Sequence, residues 1–333
     1  MWDFSVRRTL GLMGQTLPFI AFRVVVYFGI AFAYVLVTGV GAGVGWGVGA
    51  FGDADFQAAS TTWGGIAGFG LTAGALYFLR EYLLYLVKAG HIAVLVELLD
   101  GRGIPQGQSQ IGYATAIVRD RFAETSVLFG VDQLVKGALA AILGLLQGIT
   151  ALLPIPGLQN VVGVVRAFLR IAVGLLDEVI LAYLIRTGAE NPWAGAQTGL
   201  VLYAQNYKVM LRNAAWLTVM IYALAIVVFL VMLAPAAALV WLLPNAWGAG
   251  GVVFAFIFAW AVKAALLEPF AIAAMMEVYF RVIAGQTPDP AWQARIGEVS
   301  RKFRELGERA ANWAGMRPKP AGRDFTAPGG PVV

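Results

Sequence analysis

Five charged residues lie in stretches that are otherwise apolar enough for a membrane. They are Arg166, Arg170, Asp177, Lys263 and Glu268. An ionisable side chain inside a membrane is costly, so it is usually paired with another charge or lines a cavity. At ~1.5 Å per residue from the outer helix ends, Arg166 lies ~12 Å deep, and Arg170 and Lys263 lie ~18 Å deep. These positions predict a substrate or ion path with a cationic middle. The alternative is a set of structural ion pairs.

The spacing of the charged residues adds detail to both interpretations. At ~100° per residue, Arg166, Arg170 and Asp177 lie within ~40° of one another on one helix face. Glu268 directly precedes Pro269, whose ring removes a helical hydrogen bond and frees a carbonyl one turn back. A carboxylate beside such a kink can contact an ion. The same Glu-Pro sequence also occurs where a helix is simply bent and binds nothing. Asp132 and Lys136 are spaced i,i+4, which predicts a structural ion pair.

Residues suited to catalysis or metal binding are scarce. The chain has no cysteine, which excludes disulfides, thiolate metal sites and cysteine catalysis. Its one histidine, His91, lies in an apolar helical stretch. There we expect an imidazole whose hydrogen bonds are satisfied or one that lies at the membrane interface. No HExxH, GxSxG or GxxxxGK[ST] pattern occurs. We therefore expect no enzyme activity, no metal and no cofactor. A lipid-modifying enzyme is an alternative for which the sequence offers few catalytic groups.

The composition places these charges in a membrane protein. Of 333 residues, 59% are hydrophobic and 13% charged, against about 45–50% and about 25% in soluble domains. Four stretches contain no acidic residue, lysine or arginine, and each exceeds the ~20 residues that cross a bilayer; they are 24–52, 56–79, 137–165 and 213–262. This excludes a soluble enzyme, a nucleic-acid-binding domain and a disordered chain. It predicts an all-α, polytopic integral membrane helical bundle.

We expect about six spans with cytoplasmic helical extensions. The second span continues as a helix of about 40 residues to Gly101, and at ~1.5 Å per residue this exceeds the bilayer, so it projects into water. Two prolines at Leu153–Gly157 interrupt the uncharged region between the third and fourth spans. Residues 137–165 are therefore either parts of two spans or a re-entrant hairpin. The expected spans begin and end near 24–49, 62–101, 126–153, 158–185, 197–243 and 252–276.

The basic residues predict the orientation in the membrane. The connections 51–61, 154–157 and 244–251 contain no lysine or arginine, whereas the opposite side is rich in both. Lysine and arginine in short loops mark the cytoplasmic side. Both termini are therefore predicted to lie in the cytoplasm, with the protein in the cytoplasmic (inner) membrane. The same asymmetry explains the net charge of +5 without a nucleic-acid partner.

The first span ends in a run of alternating glycines that predicts close helix packing. One track is Gly39, Gly43 and Gly47, and a second track at 41, 45 and 49 lies on another face. Small residues let helix backbones approach each other closely in lipid. Two such faces predict that the first span packs between two neighbours, and a flexible gate is the alternative.

The expected domains are a transmembrane helical domain over 1–285, an amphipathic cytoplasmic helix over 286–316 and a disordered tail over 317–333. The helix has a heptad seam, which favours a coiled coil, a membrane-surface helix or docking on the protein's own cytoplasmic helices. Together with the glycine faces it predicts a homo-oligomer. The seam consists of Trp292, Ile296, Val299, Phe303, Leu306, Ala310 and Trp313.

Two segments resemble the C-terminal half of choline transporter-like membrane proteins. LYAQNYKVMLRNA, residues 202–214, precedes a long uncharged span, and a later span ends in FAIAAMMEVYFRV. In that family a cytoplasmic helix with tyrosine and asparagine and an Arg-Asn end precedes the last two spans. The resemblance implies a transporter, and no binding residue is transferred from it.

The sequence as a whole predicts a membrane transporter or channel-like protein for a small solute or ion. The buried cations favour an anionic or amphipathic molecule. The alternative is a non-catalytic membrane scaffold or assembly factor that works through helix–helix contacts. Membrane lipids are the expected partners.

Overall fold

The computed structural model describes residues 2–105, 107–121, 125–151, 177–241 and 250–313. Within these ranges the elements are helices. They are α1 (Val6–Gln15), α2 (Leu17–Gly49), α3 (Ala54–Leu99), α4 (Gln110–Arg121), α5 (Thr125–Ala151), α6 (177–187), α7 (Pro192–Gln205), α8 (Tyr207–Trp241), α9 (Gly250–Val262), a π-helical turn (Lys263–Leu267), α10 (Glu268–Val282), α11 (Pro290–Val299) and α12 (Arg301–Ala311).

Three of the helical stretches are long and apolar enough to cross a membrane: Leu17–Gly49, Tyr207–Ala238 and Gly251–Val282. In their most apolar segments only 22%, 17% and 44% of residues are buried inside the protein. Large apolar side chains such as Leu36 and Leu230 are instead exposed. Exposed apolar surface of this extent is unusual on a soluble monomer. The all-helical fold is thus consistent with a membrane protein.

Helices α2 and α3 form a long antiparallel hairpin. α3 is continuous over 46 residues, which confirms the predicted helix that is longer than one span. Asp53 caps its start, because the side chain accepts a hydrogen bond from the Phe56 N–H at 2.8 Å. Gly41 packs on Gly64, and Gly45 packs on Ser60. A Cβ at either position would overlap a backbone carbonyl oxygen of α3, so the interhelical distance depends on these glycines.

The two glycine tracks of α2 have different surroundings. The track at 41, 45 and 49 faces α3, whereas a Cβ added at Gly43 or Gly47 would meet no other atom within 4 Å. Gly39, which belongs to the same track as Gly43 and Gly47, is half-buried. The neighbour expected on one glycine face is therefore α3, whereas no described residue packs on Gly43 or Gly47. A packing role for Gly39, Gly43 and Gly47 stays a prediction.

On the other side of α2, helix α9 packs between α2 and α8. Phe32 meets Phe258 edge-on with ring centroids 5.6 Å apart, and Phe229 stacks on Phe256 at 4.3 Å. Phe258 and Phe229 belong to an apolar cluster built from α2, α3, the end of α8, α9 and the π-helical turn. We call it the upper core.

A larger apolar cluster, the lower core, is built chiefly from α3, α5, α6, α7, α10 and α12. Leu139, Ile180 and Leu200 are fully buried in it. The buried Tyr279 hydroxyl donates a hydrogen bond to the Gly199 carbonyl at 2.9 Å, which joins α10 to α7. The chain thus has two apolar cores, and α3 contributes to both.

The predicted C-terminal helix is divided into two helices. α11 ends at Val299, and the Ser300 hydroxyl caps α12 by accepting a hydrogen bond from the Phe303 N–H at 3.1 Å. Phe303 and Leu306 are buried in the lower core, while Val299 is 49% exposed. The expectation of one continuous heptad helix is therefore wrong. Since α12 packs on α5 and α7, the part of the seam on α12 is internal to the protein. Docking on cytoplasmic helices and the homo-oligomer both stay predictions.

The N-terminal segment is fastened to the ends of α8 and α10. The Asp3 carboxylate accepts hydrogen bonds from Asn213 and Arg212, and Arg281 donates to the Asp3 carbonyl. The hydrogen bonds from Asn213 and Arg212 lower the pKa of the Asp3 carboxyl. Ser5 and Arg8 contact Glu277 in the same region. The first turn of the chain therefore connects two of the candidate spans at one end.

Several expectations lie outside the described residues. These are the proline turn 154–157, the choice between two spans and a hairpin over 137–165, the positions of Arg166 and Arg170, most of the connection 244–251 and the tail 317–333.

Candidate functional site

A polar cavity of about 180 Å³ lies between the two apolar cores. Residues from α2, α3, α5, α6, α9 and the π-helical turn region surround it. Among the described lining side chains, four are acidic, two are lysines and three are aromatic. The lining residues are Tyr27, Leu84, Tyr85, Lys88, Asp132, Lys136, Asp177, Glu178, Leu181, Trp260, Ala264 and Glu268.

One end of the cavity, which we call the anionic end, contains three carboxylates and two lysines. The Lys136 ammonium lies 2.6 Å from an Asp132 oxygen and 3.6 Å from an Asp177 oxygen. The Lys88 ammonium lies 2.6 Å from a Glu178 oxygen. The other Glu178 oxygen is buried without a hydrogen-bond partner among the described residues. Among the described residues, this end therefore combines three acids with two lysines.

The opposite, cationic end is centred on Glu268. Its carboxylate lies 2.9 Å from the Lys263 ammonium and 4.0 Å from the Arg23 guanidinium. Arg23 is completely buried, and its guanidinium lies 5.5 Å from the centre of the Tyr27 ring. Lys88 is also 4.0 Å from Glu268. Lys88 therefore links the two ends of the cavity, since it contacts a carboxylate at each.

The π-helical turn explains how Arg23 is held. The Glu268 N–H bonds to the Lys263 carbonyl, five residues earlier. In that register the Ala264 carbonyl would be paired with Pro269, which has no N–H. Arg23 donates to the Ala264 carbonyl at 2.6 Å instead. The carbonyl freed beside Pro269, expected from the sequence, is thus satisfied by a buried cation, and π-helical turns often occur at functional sites.

The structure brings three of the five predicted path residues into this one cluster. Asp177, Lys263 and Glu268 all belong to it, and Arg166 and Arg170 lie outside the described residues. The predicted Asp132–Lys136 pair is confirmed, although it contacts Asp177 rather than standing alone. The site is therefore compatible with both interpretations, structural ion pairs and a substrate or ion path, because the charges pair with each other and also line a cavity.

Sequence analysis missed Arg23, Lys88 and Glu178 as members of the site. Arg23 marked the boundary of the first predicted span, and Lys88 was assigned to a helix that projects into water. The available indication was helical periodicity: Tyr27, Arg23 and Phe19 are spaced by four residues, and this face of α2 is buried. A basic residue on a buried apolar face requires a partner.

The charge of the described cavity wall differs from the expected cationic middle. The described wall has four acids and two lysines, and the cations Arg23 and Lys263 contact only its Glu268 end. The expectation of an anionic substrate depends on Arg166 and Arg170, so it stays a prediction.

His91 lies outside the cavity lining. Its imidazole stacks on the Phe19 ring at 5.3 Å and is buried, with no hydrogen-bond partner for Nε2 among the described residues. We expected an imidazole whose hydrogen bonds are satisfied. The His91 ring is instead packed against an aromatic ring, and its Nε2 has no hydrogen bond to a described residue.

Within the described ranges no group of three or more acidic or histidine side chains is arranged to hold a metal ion. Comparison with models of protein families, with curated proteins and with solved structures finds no match for this chain. None of these comparisons bears on the resemblance to choline transporter-like proteins, which stays a prediction. The function is therefore argued from the cavity.

Proposed function

We propose that the protein is a membrane transporter or channel-like protein whose solute path passes through the charged cavity. The observation that supports this is the cavity itself, a polar space among candidate membrane helices with carboxylates and ammonium groups on its wall. An apolar protein–lipid environment penalises such groups unless they are paired or hydrated. Charged residues in such an arrangement are typical of substrate and ion pathways.

Ion pairing alone accounts poorly for the site. Replacement of a buried ion pair by apolar residues of similar volume is often neutral or stabilising, so charges are not needed to hold helices together. A purely structural cluster would also be expected to fill its space, whereas these charges surround about 180 Å³ of cavity. The cavity is therefore better explained as a place for a small hydrophilic solute or ion.

The proposal includes a six-span topology with both termini in the cytoplasm of the inner membrane. α3 packs along α2 from Gln57 to Phe69, so a membrane that contains α2 also contains much of α3. α5 covers most of the third proposed span, and α6 covers the end of the fourth. The absence of basic residues from connections 51–61, 154–157 and 244–251 supports the orientation.

The alternative function, a membrane scaffold, is favoured by one observation. Gly43 and Gly47 form a small-residue track that is open to another helix, and no described part of this chain occupies it. A second protein or a second copy of the chain fits this face. The scaffold hypothesis needs no cavity, so transport measurements separate the two functions.

Proteoliposome transport tests the proposal. Currents on a solid-supported membrane are recorded after exchange to sodium, potassium, tetramethylammonium, chloride or acetate solutions. We expect the wild type to respond to at least one of these probes. Glu178→Gln and Lys263→Gln should each reduce that response by at least ~10-fold, equivalent to ~1.4 kcal/mol.

The matched control is Lys208→Gln, because Lys208 is exposed and is not among the described residues that line the cavity. It should leave the response unchanged. A folded wild-type protein that responds to none of the probes, or variants that retain full response, would contradict transport through this cavity and favour the scaffold.

A further inference from the structure

Helix α1 has one face that packs on the protein and a second, apolar face that is exposed. Thr9 and Leu12 are buried, and Leu12 belongs to the lower core. Val6 and Leu10 are exposed, Leu10 by 58%. At ~100° per residue, Val6, Leu10 and the half-buried Met13 lie within ~60° of one another. We call these three residues the α1 stripe.

Two tryptophans mark the end of α8 beside which α1 begins. Trp2, four residues before Val6, meets Trp216 of α8 edge-on with ring centroids 5.6 Å apart. Both side chains are exposed, and tryptophan is enriched where a membrane meets water. Trp216 lies in a candidate membrane-spanning helix, and Asp3 accepts a hydrogen bond from the same end of α8. The start of α1 therefore lies where this protein is expected to meet the membrane surface.

The charged residues of α1 are all basic. The helix contains Arg7 and Arg8 and no acidic residue. Arg8 lies ~160° around the helix from Leu10. It contacts Glu277 and the Leu99 carbonyl of the protein itself. Arg7 is exposed and lies ~60° from Leu10, at the edge of the α1 stripe. Of the two guanidinium groups, that of Arg7 is thus the one beside the exposed apolar face.

Exposed apolar residues continue from α1 into a candidate span. Thr16, with a ψ of 21°, leaves the helical conformation, and Pro18 has no N–H to continue the hydrogen-bond pattern. α1 is thus a separate helix in front of α2. Leu17 and Val25 of α2 are exposed as well. A short helix with an apolar face and a basic edge, beside such a span, is typical of helices that lie at the headgroup boundary of a bilayer.

We propose that the α1 stripe lies at the boundary between lipid headgroups and acyl chains, and that Arg7 gives this contact a preference for anionic phospholipids. The methylene groups of an arginine can lie along apolar surface while the guanidinium reaches the polar layer. There it can donate charge-assisted hydrogen bonds to a lipid phosphate. The inference requires α2 to lie in a bilayer, but it does not rest on transport.

Lipid quenching tests the contact in the full-length protein. The chain has no cysteine, so Leu10→Cys introduces one site for a bimane label on the α1 stripe. Gln15→Cys is the matched control, because Gln15 is exposed on the opposite side of α1. In bilayers of lipids with brominated acyl chains, the label at position 10 should be quenched strongly and the label at position 15 weakly.

The preference for anionic lipid is measured in equal mixtures of phosphatidylcholine and phosphatidylglycerol, with the bromines on one or the other. The label at position 10 should report a preference of about fivefold for phosphatidylglycerol, equivalent to ~1 kcal/mol. Arg7→Gln should remove this preference and Arg7→Lys should retain it. Arg301→Gln should leave it unchanged, because Arg301 is exposed on α12, outside the candidate membrane-spanning helices.

Equal quenching of the labels at positions 10 and 15 would overturn the lipid contact. Equal quenching by the two lipids, or a preference that survives Arg7→Gln, would overturn the role of Arg7. A Leu10→Cys protein that forms a disulfide-linked dimer and is shielded from brominated lipid would assign the stripe to a second copy of the chain, and so would also overturn the proposal. Absence of transport in proteoliposomes would refute the proposed function and leave these lipid measurements unaffected.

Discussion

Gly45→Ala is expected to lower the free energy of unfolding by about 3 kcal/mol, at the upper end of typical overpacking costs. A Cβ on Gly45 would overlap the Ser60 carbonyl oxygen in the backbone of α3. Neither helix can relieve this overlap by a side-chain rotation, so α2 and α3 must separate. Their separation would also loosen the neighbouring contact between Gly41 and Gly64, which has the same geometry.

Gly43→Ala is the matched control on the same helix. A Cβ at Gly43 meets no other atom within 4 Å, and alanine has a helix propensity up to ~1 kcal/mol more favourable than glycine. Stability should therefore be unchanged or slightly increased. Both variants are compared by reversible unfolding in mixed micelles. Equal stability of the two variants would contradict the described α2–α3 interface.

Lys88→Met is expected to cost about 3–5 kcal/mol of folding stability, the usual loss when one partner of a buried ion pair is removed. The Glu178 carboxylate, 2.6 Å from Lys88 and largely buried, would lose its only hydrogen-bonding cation among the described residues. Of the described lysines at the anionic end, Lys136 would then remain beside three acids. The double variant Lys88→Met, Glu178→Gln removes both charges and should recover most of the loss.

The control for this prediction is Lys302→Met, which breaks the exposed Lys302–Glu305 pair. Such surface pairs contribute about 0–1 kcal/mol, so little change is expected. Unfolding is measured for the single and double variants under one set of conditions. If the double variant is as unstable as the sum of the two single changes, Lys88 and Glu178 are not energetically coupled, and the description of the anionic end is wrong.

The sequence predicted those parts of the fold that depend on local pattern. Uncharged stretches identified the apolar helices, glycine spacing identified α2 as a close-packing helix, and i,i+4 spacing identified the pair of Asp132 and Lys136. Pro269 indicated a freed carbonyl. Each of these follows from the rise and periodicity of a single helix, so no knowledge of neighbouring helices was needed.

The remaining features depend on contacts between distant segments. Arg23 and Ala264 are 241 residues apart, and neither position alone indicates that a guanidinium on α2 would satisfy a carbonyl on the π-helical turn. Which of the two glycine tracks packs on another helix likewise depends on the position of α3. The apolar residues of the C-terminal segment have heptad spacing, but Ser300 divides the helix because its side chain caps α12. A capping residue between two helices need not interrupt the spacing of the apolar residues, so the spacing alone did not indicate the break.

Thiol labelling tests most directly whether the cavity lies on a path across the membrane. The chain has no cysteine, so Leu181→Cys introduces one reactive group, at a position that lines the cavity. Ala182→Cys, the next residue on α6, is fully buried in the lower core and serves as the control. A charged, membrane-impermeant thiol reagent is applied separately to each face of oriented vesicles. The account predicts that Cys at 181 reacts from both faces while Cys at 182 reacts from neither; a cysteine at 181 that reacts from one face only, or not at all, would contradict it.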